Sequence, residues 1–512
     1  MKSIVCFGAG VDGCNFISVV RNKVKIEYFL DNVQSGQIEN YQIYKPSKEC
    51  CAGKGKYIVV TTTRYYESIK KQLESYGLRE SIDFVSDVEF LMAHHELLDG
   101  DYERDNLKLH LFLRKRKAIH YTLWQARQFN EKSGLTFEIY QKAVILPLKK
   151  YPEDPLHTAA FGRGGVVDQS GKYVRLSGIK GMNDGQYSYE NPQYRDERVV
   201  YCGYFIRYWG HLFIESVARL WYFLKHDHLS YKYVFIVTSG TDVVLDGNYR
   251  EFFRLLGILD RIEMINKPVQ YREVIVPELS YDRGNFYSAD YKNTIATVID
   301  NAMKECKDYQ CYDKVYLARN HWSKIEFGLD MVEDFFQRNG FKVISPETLT
   351  LTQMIYILQN ADMVAATSGT VSHNILFGKD GQELIIIERS PMNNAYQVDI
   401  NRIKQLNVTH IDANLAFFPV SHGSGPFLFH CNRFLFSFAE EREWNLPDQR
   451  FMSDDWLKNN LRMYKDYHDK YCKGDDPRKI NDEIFEEAYM DSMREVLNGN
   501  SEWITQLSGN NV

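Results

Sequence analysis

The chain has 512 residues, 44% hydrophobic and 25% charged, which is ordinary for a soluble globular protein of about three domains. A net charge of −6 provides no general basic field, so nucleic acid is not an expected partner. The nine cysteines show neither CxxC nor zinc-type spacing, which fits reduced thiols, and no apolar run is long enough to span a membrane.

The amino terminus opens directly on a strand with no signal-peptide layout. A cytoplasmic location is therefore expected, with the inner face of the membrane as a peripheral site. Residues 2–7 (KSIVCF) read as a buried parallel strand. Gly8, Gly10 and Gly13 follow in G-x-G-x-x-G spacing. A second strand, Ile26–Leu30, ends at Asp31, where a ribose-binding acid is expected. Glycines allow a tight turn and close phosphate approach, and the helix start attracts an anion. A third strand, Tyr57–Thr61, and a helix, Tyr65–Tyr76, complete the unit near Phe84–Val85. Residues 1–91 are expected to form a Rossmann-like domain with a nucleotide or NAD-like ligand. FGAG, FLDN and YIVVTTT resemble the small Rossmann-like domains at the front of some bacterial sugar-modifying proteins. No hydride-transfer constellation accompanies them, which argues against a dehydrogenase.

Residues 92–142 read as a helical connector, with Asn106–Phe129 helix-compatible. Its basic run Arg114–Lys117 reads as a solvated face; the alternative is contact with anionic lipid or a synthesis-complex partner. Asp99-Gly100-Asp101 has D-x-D spacing but lies in a polar linker, so it reads as a turn and no metal site is expected.

From Ala143, strands and helices alternate as in parallel sheets covered by helices. In Tyr201–Leu224 a strand passes through a loop holding Arg207, Trp209 and Gly210 into an apolar helix. His211, Glu215 and Arg219 recur there every four residues, along one helix face. They form either an internal network with Glu215 and Arg219 paired, or one wall of an active site. A crossover near 277–313 leads to a second lobe. Arg319 and Ser368–Thr370 fall beyond the carboxyl ends of its strands, where open parallel sheets bind ligands. Residues 431–512 read as a helical tail, amphipathic over Arg450–Tyr471 and Asp482–Leu497.

The ordered blocks Tyr204–Phe223, Val315–Gly328, Gly340–Leu349 and Ser368–Phe377 resemble the family 61 glycosyltransferases, with weaker echoes at Pro277-Glu278 and Gly423–Phe427. The resemblance covers roughly residues 143–430. It implies an α/β chain in which a GT-B-like pair of Rossmann lobes follows the front domain. It also implies an inverting transfer from a UDP-activated sugar, with no D-x-D metal site and no cofactor required. The partners implied are a nucleotide-sugar donor and a saccharide or lipid-linked saccharide acceptor, in bacterial capsule or surface-polysaccharide biosynthesis. Without a metal, the diphosphate needs fixed charge and N–H donors. Arg319 and Lys324 would supply charge, and Ser368, Gly369 and Thr370 would supply donors at a helix start. His373 and Asn374 lie within reach of phosphate, ribose or base. The block after Arg319 lacks a second arginine expected from the family, and Lys324 has no guanidinium fork to replace it. Glu215 is the first candidate for the base that takes the acceptor proton, and His211 the second. The alternative to an enzyme is a non-catalytic, nucleotide-sensing scaffold of a polysaccharide synthesis complex.

Overall fold

The computed structural model describes residues 3–20, 24–51, 57–62, 65–87, 90, 109–112, 129–149, 162–178, 185–228, 230–306, 309–319, 326–389, 394–414 and 426–471. The chain divides into two compact units. One comprises Met1–Lys108, Arg114–Trp124 and Pro391–Asn393, and the other comprises the remainder. Among the described residues no helix is long and apolar enough to cross a membrane.

The first unit is built on strands β1 (Ile4–Phe7), β2 (Ile26–Leu30), β3 (Gly36–Ile38), β4 (Tyr41–Tyr44), β5 (Tyr57–Val60) and β6 (Phe84–Ser86). Their order is β3-β4-β2-β1-β5-β6, parallel except for the β3–β4 edge hairpin. IVCF and YIVV read as unbroken apolar runs because helices cover both sheet faces. Val5, Cys6, Val59 and Val60 are fully buried. Helices Val11–Val20 and Tyr66–Ser75 make the crossovers.

The second unit holds two larger sheets. In the first, β12 (Gln193–Tyr204), β13 (Lys232–Ile236), β14 (Ile262–Ile265) and β15 (Val269–Pro277) are parallel in the order β15-β12-β13-β14. The antiparallel edge is formed by β9 (Phe137–Gln141), β10 (Val144–Lys149) and β11 (Arg163–Val167). The second sheet contains β7 (Leu109–Phe112), β18 (Lys314–Leu317), β20 (Lys342–Ile344), β21 (Met363–Thr367), β22 (Glu383–Ile387) and β23 (Asn407–Ile411). It is wholly parallel, in the order β20-β18-β21-β22-β23-β7. Two small sheets complete the unit: β8 (Asn130–Lys132) with β16 (Tyr281–Asp282) and β17 (Phe286–Ser288), and β19 (Glu326–Phe327) with β24 (Phe427–Leu428).

The architecture is mixed α/β, with several sheets containing parallel strands. The expected helical connector is corrected where it is described: Leu109–Phe112, Asn130–Lys132 and Phe137–Gln141 are strands. Helix-compatible composition yields here to the ladder that β7 forms with β23, since local propensity is only a weak prior. Asp99–Asp101, the Arg114–Lys117 run, Lys324, Gly423–Gly425 and the tail beyond Tyr471 lie outside the described residues. The described tail carries helices Arg433–Glu441 and Asp454–Tyr471.

Candidate functional site

In each large sheet the chain reverses direction across one pair of strands. Such switch points leave a crevice beyond the carboxyl ends, where ligands bind in open α/β sheets. In the second sheet the pair is β18 and β21, since β18 leads outward to β20 on one side while β21 starts the run on the other. Arg319 follows β18 and Ser368–Thr370 follows β21. A cleft of about 520 Å³ opens there, lined by Arg319, Thr370 and Asn374, and across from them by Trp209 and Gly247–Tyr249. This volume is in the range for a small-molecule ligand.

The two walls are clasped together. Glu251, on helix Gly247–Leu256, accepts from the Leu351 and Thr352 backbone N–H groups at 2.8 and 3.2 Å. It also takes the Thr352 hydroxyl at 2.5 Å, and Asn248 donates to the Leu349 carbonyl at 3.1 Å. Helix Leu351–Asn360 starts at a capping box between Thr350 and Gln353, which fixes this lip of the cleft. Trp209 Nε1 donates to Asn374 Oδ1 at 2.8 Å. Glycine at 210 allows the approach, since a β-carbon there would lie 3.0 Å from His373 Nδ1.

Arg319 is buried and forms an ion pair with Glu326 at 3.2 Å. The same carboxylate oxygen takes Arg389, also at 3.2 Å. Arg389 therefore supplies a second guanidinium beside Arg319 that was expected nearer in the chain. Burial pushes it down to about 10, against the pull of Glu326. It lies 4.5 Å over the Phe427 ring and directly beneath Gly369. Gly369 has φ +122°, and a β-carbon there would sit 2.8 Å from Arg389 Cζ, so backbone and guanidinium meet only with glycine in place.

The 368–377 stretch differs from the expected α-helix: Ser372–Phe377 is a short 3-10 helix. It is too short to develop a strong terminal dipole. Ser368 accepts from the Arg389 N–H through its hydroxyl, and its own N–H bonds to the Ile387 carbonyl. His373 is buried, with Nε2 2.9 Å from Asn394 Nδ2.

The helix expected after Tyr204 is also altered. It begins at Trp209–His211, widens to a π-turn over Leu212–Ser216 and resumes at Trp221–His226. Val217 N–H reaches back five residues to Leu212, so the four-residue spacing of His211, Glu215 and Arg219 does not keep them on one face. Glu215 does not pair with Arg219. It accepts from His211 Nδ1 at 2.7 Å and from the hydroxyls of Tyr204 and Tyr396, each at 2.5 Å. Burial alone would raise its pKa; these hydrogen bonds and the His211 charge outweigh that and hold it down at about 2. A carboxylate so satisfied is a weak base but a firm anchor for an imidazole. Arg219 instead donates to the carbonyls of Pro277, Leu176 and Gly178.

In the first unit Gly8 and Gly10 lie in the turn between β1 and the helix Val11–Val20, and Gly13 lies in the first turn of that helix, where a β-carbon would collide with the Gly8 carbonyl. Asp31 accepts from the N–H groups of Ala9, Val33 and Gln34, which lowers its pKa despite partial burial. The acid expected for a ribose thus ties the glycine turn to the loop that follows β2.

Arg389, Tyr396, Tyr204 and Glu251 were not singled out from the sequence as site residues. A signal did exist for Arg389: a charged pair, Glu388-Arg389, directly follows the apolar strand ELIII. Tyr396 lies 181 positions from its partner Glu215, and no local pattern could join them.

The Glycosyltransferase 61 family model matches residues 209–385. The matched span runs from Trp209 through the His211–Glu215 pair and Arg319 to β22. No curated protein matches the chain. The chain is thus similar over this span to family 61 glycosyltransferases, which supports a glycosyltransferase activity in general terms.

Proposed function

We propose that the chain is an inverting, metal-independent glycosyltransferase that moves a sugar from a UDP-sugar to a saccharide or lipid-linked saccharide acceptor. The setting proposed is bacterial capsule or surface-polysaccharide synthesis on the cytoplasmic side. The observation that carries this reading is the meeting of Arg319, Thr370, Asn374 and Trp209 around one cleft of about 520 Å³ at a switch point, inside the matched span.

In this reading Arg319, backed by Arg389, neutralises the donor diphosphate where charge grows as the glycosidic bond breaks. The acceptor oxygen attacks the anomeric carbon from the face opposite the leaving diphosphate. Its proton passes to His211 Nε2, while Glu215 holds the Nδ1 side and stabilises the imidazolium formed. UDP departs with the bonding electron pair.

Titration of UDP into the wild type and Arg319→Ala tests the donor site. Losing a charged hydrogen bond of about 1.5–3 kcal/mol should weaken binding roughly tenfold to a hundredfold. Equal affinities would remove Arg319 from the donor site.

A further inference from the structure

The first sheet has its own switch point, between β12 and β15, and the chain places a second arginine there. Arg219 is 4% exposed. Its Nε donates to Pro277 O at 3.0 Å, and its Nη2 donates to Leu176 O and Gly178 O at 2.8 and 3.1 Å. The guanidinium lies 5.3 Å over the Tyr201 ring. No carboxylate among the described residues forms an ion pair with it, and Nη1 donates to none of them. Arg219 lines a crevice at the ends of the two strands, together with Cys202–Tyr204, Glu215, Leu279 and Tyr281–Arg283. Gly203 keeps Nη1 uncovered: a β-carbon there would sit 2.9 Å from it. A buried cation held by carbonyls alone is costly unless an anion joins it.

We propose that this crevice is the acceptor subsite and that Arg219 and Arg283 select an acceptor sugar bearing a carboxylate. The proposal rests on the transferase reading for its acceptor role. Arg283 is solvent-exposed, lies 4.9 Å over the Tyr396 ring and lines the same crevice. The crevice holds only about 20 Å³, enough for a group the size of a water or a carboxylate tip, with the sugar ring at the mouth. Two guanidiniums face two acids, Glu215 and Asp282. Glu215 is engaged by His211, Tyr204 and Tyr396, and Asp282 accepts from the Asn285 amide. Both acids thus have partners of their own, and a carboxylate can accept from Nη1 of Arg219 and from the guanidinium fork of Arg283. Trp209 lines the donor cleft and Glu215 lines this crevice, so His211 stands on the segment that joins them.

The test is calorimetric titration of methyl β-D-glucuronide and methyl β-D-glucoside into the wild-type chain, Arg283→Gln and Arg219→Lys. A charge-assisted pair should give the glucuronide an advantage of about tenfold in the wild type. That preference should vanish in Arg283→Gln, whatever happens to the folding of Arg219→Lys. Equal affinities in the wild type, binding of neither glycoside, or a preference that survives in Arg283→Gln would overturn the proposal. UDP titration in the same samples separates the two readings. A carboxylate preference without UDP binding would sink the transferase reading and leave the carboxylate selection standing.

Discussion

The two switch-point crevices of the second unit differ in width and in how their arginines are held. At β18/β21 the cleft measures about 520 Å³, and Arg319 and Arg389 share the carboxylate of Glu326. At β12/β15 the crevice measures about 20 Å³, and among the described residues Arg219 donates to carbonyl oxygens and to no carboxylate. Topology explains why both sites lie where they do. Their local chemistry explains why they differ: a carboxylate-anchored pair keeps its charge partly balanced beside a wide opening, while a carbonyl-anchored arginine keeps a full positive charge beside a narrow one. A large, highly charged donor suits the first, and a small anionic substituent suits the second.

The sharpest way to break this comparison is on the segment that joins the crevices, between Trp209 and Glu215. His211→Ala should lower transfer by about 10²–10⁴-fold, the usual worth of a general base, while UDP affinity is unchanged. Initial rates and calorimetry on one preparation would show it; near-normal rates would move the base elsewhere. Next in size is Glu215→Gln. The Glu215 pKa is depressed in the folded chain, so its stabilisation is present above the unfolded value near 4.5 and is lost as pH falls towards about 2. A shift of that size corresponds to about 3 kcal/mol. Urea denaturation should therefore show a steep loss of wild-type stability between these pH values and a flatter profile in the glutamine variant; parallel profiles would mean the carboxylate is not held as described. The smallest change concerns the clasp of the wide cleft. Glu251→Ala leaves the Leu351 and Thr352 N–H groups without their cap and should cost about 1 kcal/mol in denaturant unfolding, with weaker UDP binding. An unaltered affinity would show that the lip holds its position without Glu251.

Much of the fold was legible because buried parallel strands write themselves as apolar runs. YIVV lies in a sheet close to its expected place, and KVYL, MVAAT and ELIII are strands of the alternation expected after Ala143. Arg319 and Ser368–Thr370 were legible as strand-end residues for the same reason. What could not be read was set by partners distant in the chain. Leu109–Phe112 becomes a strand only because β23 offers an edge. Asp31 turns inward because the Ala9 N–H points at it. The pairing of Glu215 with His211 and Tyr396, in place of Arg219, depends on one widened turn that no periodicity displays.

That widened turn at Leu212–Ser216 also has a meaning for the history of the gene. A π-turn is a local widening of an α-helix that holds one residue more than regular winding needs. Deleting a single residue there would restore regular winding and swing everything downstream by about 100°. Arg219, beyond the turn, would then leave the strand ends, while His211, ahead of the turn, would keep its place. Length variation of one residue at this point would thus be a simple genetic route to a chain that retains its base but changes which acceptors it accepts.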